Sequence, residues 1–301
     1  MTEKIPVKKN KEYIVDIIDN GFEGEGIAKI DNYTVFVSGA IKGEKVKILI
    51  LKVKSSYAFG KILEIMKKSD NRVEHDCNTY KRCGGCNLRH MKYPATLELK
   101  QLMVQNLVNK ILDSNIEVKP TIGMEIPYFY RNKGQFPIGY TKEGEMTFGV
   151  YANRSHEIVP IKICKIQNLI SQKITKYILK FMKQNNVMAY NEKNRIGEVR
   201  HIVIKIGIKT SEIMCILVTN RRKITQEDKL VSELVHNFPN IRSIVKNINM
   251  ENTNVILGKE NINLWGDGYI EDKLGEYTFK ISPLSFYQTN FIQTQKLYDL
   301  A

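Results

Sequence analysis

The sharpest chemical signal in the chain is its cysteines: Cys77, Cys83, Cys86, Cys164 and Cys215. Three cluster as Cys77-Asn-Thr-Tyr-Lys-Arg-Cys83-Gly-Gly-Cys86, a C-x5-C-x2-C spacing. An odd count in a chain of 301 residues argues against a disulfide scaffold, and in a reducing compartment such clustering indicates metal binding. Thiolate sulfur is a soft ligand that suits zinc and iron–sulfur clusters alike. Gly84 and Gly85 allow the backbone to fold tightly around a metal. A closed tetrahedral site needs a fourth ligand, from Cys164, Cys215, His75 or His90. Cys215 lies inside the apolar run Ile213–Val218 and reads as a small core residue. Cys164 stands among Lys162, Lys165 and Gln167, at the edge of an element where it can point outward. The expected ligands are therefore Cys77, Cys83, Cys86 and Cys164, with zinc and iron–sulfur both open on spacing.

No other complete active site is visible. Gly24-x-Gly26 lacks the third glycine of a dinucleotide loop, and there is no nucleotide-binding P-loop. The five histidines are scattered. Two segments, Tyr130–Phe136 and Gly149–His156, mix cations, amides and aromatics. Cations hold phosphates and aromatic rings stack unpaired bases, so Arg131, Lys133, Arg154 and His156 are candidates for RNA binding. A strand pair with ordinary surface charges fits the same spacing equally well.

The elements that must position these residues follow from periodicity. Residues 11–65 read as about five short strands without a helix, including Tyr33–Val37, Lys45–Val53 and Phe59–Ile65, which predicts a small OB-like barrel or another small antiparallel sheet. Lys67–Asp76 is polar and reads as a linker. Tyr93–Leu112 is predicted helical, with Leu99, Met103, Leu107 and Ile111 at steps of four. Helices are also predicted over Asn168–Asn185 and Asp228–Phe238. Between them lie strand-like runs at Val199–Ile206, Ile213–Thr219, Ile241–Asn249 and Val255–Leu257. Ser285–Ala301 reads as the start of a new helix. The predicted fold class is thus multi-domain, β then α+β.

Charge speaks to partners. The chain holds 46 Lys+Arg against 32 Asp+Glu, net +14, which suits a polyanion. The excess is spread, with 21 basic and 15 acidic residues in 1–120 and 25 and 17 in the rest. The 43% hydrophobic content excludes a disordered chain, the short apolar runs give no membrane span, and the N-terminal residues show no signal-peptide core. A cytoplasmic monomer is expected.

The chain resembles the S-adenosylmethionine-dependent RNA (uracil-5-)methyltransferases, nearest the branch that makes 5-methyluridine in 23S ribosomal RNA. The strings Gly21-Phe-Glu-Gly-Glu-Gly-Ile-Ala28, Val35-Phe-Val-Ser-Gly-Ala40 and Gly43-Glu-Lys-Val46 look like the family's N-terminal TRAM domain, an OB-like RNA-binding barrel. Cys77…Cys83-Gly-Gly-Cys86-Asn-Leu-Arg-His90 looks like its cluster motif, although Arg89 stands where relatives commonly carry Gln. Tyr130-Arg-Asn-Lys133, Ser155-His-Glu-Ile158 and Gly197-Glu-Val-Arg-His201 are also family-like. Cys164 falls where the family places its fourth ligand, and the resemblance implies a [4Fe-4S] cluster. Ser282–Asn290 resembles the family's F-x-Q-x-N entry to the methyltransferase domain. By that match Gln288 contributes to the S-adenosylmethionine site and Phe286 lies near the target base.

These matches imply three regions: a TRAM barrel over 1–67, an iron–sulfur and RNA-binding domain over 75–280, and over 281–301 a stub carrying the first helix of a Rossmann-like methyltransferase domain. The family's Gly-rich cofactor loop, catalytic Cys and proton-abstracting Glu follow later than Ala301, so this chain holds no catalytic residue and is expected to be inactive alone. The competing expectation is a non-catalytic RNA-binding module with a metal-stabilised site of four cysteines.

Overall fold

The computed structural model describes residues 5–112 and 116–301; the first four residues of the expected barrel, 1–4, lie outside them. The described residues form two compact units. One comprises those up to Tyr80 with Cys86–Gly123, the other Lys81–Gly85 with Met124–Ala301.

The first unit is built on six strands: β1 (Glu12–Asp16), β2 (Asp19–Asn20), β3 (Gly26–Ile30), β4 (Tyr33–Ser38), β5 (Lys45–Val53) and β6 (Tyr57–Lys67). Their order is β1-β5-β6-β4-β3-β2. Every pair is antiparallel except β4–β6. Alternation decides the faces: Val35, Val37, Val46, Ile48, Ile50 and Ala58 all turn into one core. Asp31 and Asn32 both adopt left-handed φ, 48° and 63°, and make the two-residue loop of the β3–β4 hairpin. Only Ile17 and Ile18 separate β1 from β2, so the two edges of the sheet adjoin. Ile18 N–H donates to Ile27 O there at 2.8 Å.

Helix α1 (Tyr93–Ile111) carries Pro94 in its first turn, where no N–H is needed. Its expected apolar stripe is covered over only half its length. Leu99 is buried with Ile41, Met91 and Ala95, and Met103 packs against them, but Leu107 and Ile111 are exposed.

The polar stretch expected to be a linker is anchored instead. Arg72 Nη2 donates to Glu44 Oε2 at 2.7 Å and to Gly39 O at 2.7 Å, and Arg72 Nε also donates to Glu44. The Glu44 side chain is fully buried. Burial pushes its carboxyl up, but the Arg72 guanidinium and the Ile41 N–H outweigh that and hold it below its ordinary 4.5.

In the second unit the strands are β7 (Lys133–Tyr140), β8 (Met146–Tyr151), β9 (Ile158–Pro160), β10 (Val199–Ile206), β11 (Ile213–Thr219), β12 (Ile241–Ile248) and β13 (Glu260–Gly266), in the order β13-β12-β11-β10-β7-β8-β9. Helix α2 (Leu169–Gln184) precedes β10, and α3 (Glu227–Asn237) makes the crossover between β11 and β12, the parallel pair of this sheet. Ile202, Ile204, Cys215, Leu217 and Ile244 join the core that includes α2 and α3. Val203, Met214, Ile216, Val218 and Val245 face the opposite way, onto Ile270 and Ile281 of the hairpin β14 (Ile270–Leu274) and β15 (Tyr277–Ile281). Strands β10 to β12 are therefore covered on both faces. Helix α4 (Phe291–Leu300) is the last element.

Two expectations are corrected, and one alternative left open by spacing is given its geometry. Val255–Leu257 is a loop: Asn249 Nδ2 donates to the carbonyls of Val255 and Ile256, a role a neighbouring strand would otherwise fill. Tyr130–Phe136 and Gly149–His156 run into the strands β7 and β8, which pair antiparallel. The last helix starts at Phe291, not Ser285, because Asn290 caps it: its side chain accepts from Gln293 N at 3.2 Å.

Replacing Glu44 with Ala leaves Arg72 without its counter-charge, so the expected cost is about 3–5 kcal/mol, measured as a lower urea midpoint. Because the folded pKa of Glu44 is depressed, its contribution is complete above pH 4.5 and is lost as pH falls through the lowered folded value. The Glu44→Gln variant should show a flatter loss of stability over that acid range.

Candidate functional site

The segment Ser282–Asn290 is fixed to the second unit by two buried side chains. Lys205, on β10, donates its ammonium to Ser282 O at 2.8 Å and Ser285 O at 2.9 Å. Asn132, just before β7, donates through Nδ2 to Gln288 O at 2.9 Å and through its backbone N–H to Thr289 O at 3.0 Å. Its own carbonyl accepts from Ile206 N at 2.9 Å. Tyr287 O–H donates to Asp272 at 3.0 Å, and Asp272 also accepts the N–H groups of Ile208 and Lys209. Held this way, the segment leaves Phe286 80% exposed between its tethers and Gln288 half-buried.

Cations crowd beside it. Lys205 and Lys133 are direct cross-strand partners on β10 and β7, an arrangement that costs stability for like charges. Burial and the Lys133 charge push the Lys205 ammonium down to about 8. Burial and Arg131 likewise lower Lys133. Arg131 bridges in backbone register to both Gln167 and Asn290, and its Nε is buried without a partner. The Lys205 ammonium is committed to two carbonyls, which leaves Lys133 and the unpartnered Arg131 Nε as the groups suited to an anion. Of the four RNA-binding candidates the structure thus brings Arg131 and Lys133 together and adds Lys205.

Arg154 and His156 lie on a different loop, after β8. Arg154 is exposed with left-handed φ of 55°. His156 stacks on Tyr151 with ring centroids 5.3 Å apart and meets Glu192 through Nδ1 at 2.9 Å. Tyr151 in turn meets His201 Nε2 at 3.0 Å. Burial first, then the Arg200 charge, push the His201 imidazole down to about 3, so it is neutral at pH 7.

The cysteine segment docks on this same loop. Cys83 pairs with Ala152, Gly84 N–H donates to Tyr151 O at 3.2 Å, and Arg82 pairs with Glu157 at 2.7 Å. A Cβ on Gly84 would sit 3.2 Å from Asn153 Cα, so glycine permits the close approach. Gly85 N–H donates to Cys83 Sγ at 3.3 Å. Cys164 is held through its backbone by the buried amide of Gln172 on α2, at 2.7 and 3.0 Å.

Cys77 and Cys86 belong to the first unit, Cys83 and Cys164 to the second. Among the described residues, no three His, Cys, Asp or Glu side chains are grouped closely enough to hold a metal ion. What fits a thiolate-bound group is the donor chemistry: four half-buried thiols, one receiving a backbone N–H on sulfur as cluster-ligating thiolates do. Of the other ligand candidates, His90 is packed against Tyr80, whose hydroxyl meets Nδ1 at 2.6 Å, and burial pushes its imidazole down to about 4. Cys215 is fully buried and burial pushes its thiol up to about 12, as suits a core residue.

Sequence reasoning missed Lys205, Asn132 and Gln172. For Lys205 a signal was present, a cation set between isoleucines in the strand Val199–Ile206.

Residues 6–63 match the TRAM domain. Over its full length the chain is 47% identical to a Clostridium acetobutylicum protein named an uncharacterized RNA methyltransferase, covering 66% of that relative. It is 44% identical to one of the same description from Clostridium tetani, and 42% identical over 99% of its length to one from Oceanobacillus iheyensis, covering 65% of each. The chain therefore spans about two-thirds of the length of the curated relatives it matches. The crystal structure of Pyrococcus abyssi tRNA (uracil-54, C5)-methyltransferase in complex with S-adenosyl-L-homocysteine superposes with a TM-score of 0.70 at 22% identity, covering 95% of this chain and 64% of that one. That likeness establishes a shared mixed α/β fold. No helix among the described residues is long and apolar enough to cross a membrane.

The Lys205→Met substitution removes both tethers of Ser282–Ser285. Amide hydrogen exchange should rise about tenfold or more over 282–290, the equivalent of losing about 1.5–3 kcal/mol of charged hydrogen bonding. Exchange in β11 and β12 should stay unchanged.

Proposed function

We propose that residues 1–301 are the RNA-recognising part of an S-adenosylmethionine-dependent RNA methyltransferase that makes 5-methyluridine, with 23S ribosomal RNA as substrate. The observation that carries this reading is the tethered segment Ser282–Asn290, which presents the exposed Phe286 beside Arg131, Lys133 and Lys205. It is supported by close similarity, along the whole chain, to proteins named RNA methyltransferases.

In the proposed reaction a cysteine thiolate adds to C6 of uracil and pushes electrons to C5. C5 takes the methyl group from the sulfonium of S-adenosylmethionine, a base removes the C5 proton, and the thiolate is expelled. Cys215 is not suited to that attack, since it is buried with its thiol pushed up to about 12. The task of this chain is to bind and orient. Arg131 and Lys133 hold the phosphates that flank an extruded uridine, Phe286 lies against the base, and Gln288 contributes to the S-adenosylmethionine site. Arg154 and His156 extend the RNA contact along the loop after β8.

Cys77, Cys83, Cys86 and Cys164 would hold a [4Fe-4S] cluster. Such a group, when bound, supplies a structural staple for the RNA-binding loop that Cys83 docks against. Purified without oxygen, the chain should carry about four irons and four sulfides, falling sharply in Cys164→Ser. One zinc without sulfide would replace the iron–sulfur reading with a zinc-stabilised RNA binder.

RNA binding is read by titration across salt concentrations. Lys133→Ala and Arg154→Ala should each weaken binding similarly for all sequences. Each should also reduce the salt slope by about 0.7 for every single-strand phosphate that the variant no longer neutralises. An unchanged slope in both would remove these two residues from the interface.

A further inference from the structure

The six-stranded sheet of the first unit has an outer face that its core does not use. Phe36, Tyr57 and Phe59 sit there, half-buried, and none is among the residues packed in that core. The three rings pack on one another, mostly edge to face, with centroids 5.4 to 5.9 Å apart. Register arranges them in rows. Ile27, Phe36, Phe59 and Lys52 lie opposite one another across β3, β4, β6 and β5. Lys29, Thr34 and Tyr57 make the next row, and Ser38 with Lys61 the row on the other side. Lys29, Lys52 and Lys61 are all exposed. Residues 45–67, which build β5 and β6, hold six lysines and a single acidic residue, Glu64.

Three aromatic rings on an outward sheet face, rimmed by lysines, match what an unpaired nucleic acid strand offers: free base faces and a phosphate every nucleotide. A duplex hides those faces in its own stack. We propose that this face is a stacking platform for single-stranded RNA, with bases on Phe36, Tyr57 and Phe59 and phosphates neutralised by Lys29, Lys52 and Lys61. It rests on the RNA reading above and adds the form of RNA and the place on the TRAM domain where it is held. The platform belongs to the first unit and the Arg131–Lys133–Lys205 cluster to the second.

The test uses the whole chain, a labelled unstructured oligoribonucleotide of about 12 nucleotides and a blunt RNA duplex of the same length. The triple variant Phe36→Leu, Tyr57→Leu, Phe59→Leu keeps the face apolar but removes the rings, and its folding is checked by circular dichroism. Its affinity for the oligonucleotide should fall about tenfold or more, with duplex affinity changed less than about twofold. As a measurement independent of that variant's folding, an oligonucleotide containing 4-thiouridine is photo-crosslinked to the unmodified chain. Crosslinks should map to Tyr33–Ser38 and Tyr57–Lys67. Equal affinity of a folded triple variant, or crosslinks found only elsewhere, would overturn the platform and leave the RNA reading standing. Failure of the unmodified chain to bind any RNA would overturn both.

Discussion

Strands β10, β11 and β12 have no solvent face, and that constraint organises the second unit. A polar side chain on such a strand must find its partner inside the protein or leave a buried group unsatisfied. Most do so by reaching a neighbouring segment, although Ser243 Oγ and His201 Nδ1 are left without a partner. Lys205 takes the carbonyls of Ser282 and Ser285, and Arg200 those of Asn249 and Glu251. Asn247 takes Gly258 O, and Lys246 pairs with Glu227 at the start of α3. His201 meets Tyr151, which lies under the loop that receives Cys83. The buried sheet is thus the frame from which the functional loops are hung, and hydrogen bonds to carbonyls are the hangers.

Legibility from sequence follows the range of the interaction. β5, β10 and β11 lie where their apolar, β-branched residues place them, and α2 differs from its expected span by one residue at each end, because periodicity is a local property. The same local signal misleads where a distant group intervenes. Val255–Leu257 has strand-like residues, yet the Asn249 amide takes its carbonyls. Leu107 and Ile111 continue the period of α1 yet stay exposed. At the site, cysteine types and spacing single out one segment. The roles of Asn132 and Lys205 depend on contacts 156 and 77 residues away along the chain, and no pattern within a segment encodes those.

Glycine use makes a related point about the cysteine segment. Gly84 and Gly85 read alike in sequence, as freedom for a tight turn. In the structure they have different duties. Gly84 lets the backbone come close to Asn153, and Gly85 turns its N–H to the Cys83 sulfur. The segment is therefore shaped by what it docks against as well as by its own turn.

The facing lysines on β7 and β10 carry a further meaning. A sheet selected only for robustness would not set two ammonium groups opposite each other with an arginine nearby, since an uncharged residue in place of Lys133 would relieve the repulsion. The second unit is thus less stable here than its strand pairing alone requires, and the cost is concentrated in one corner of it. Replacing Lys133 should therefore make the fold hardier, whereas replacing Lys205 forfeits the two carbonyl bonds that its ammonium makes.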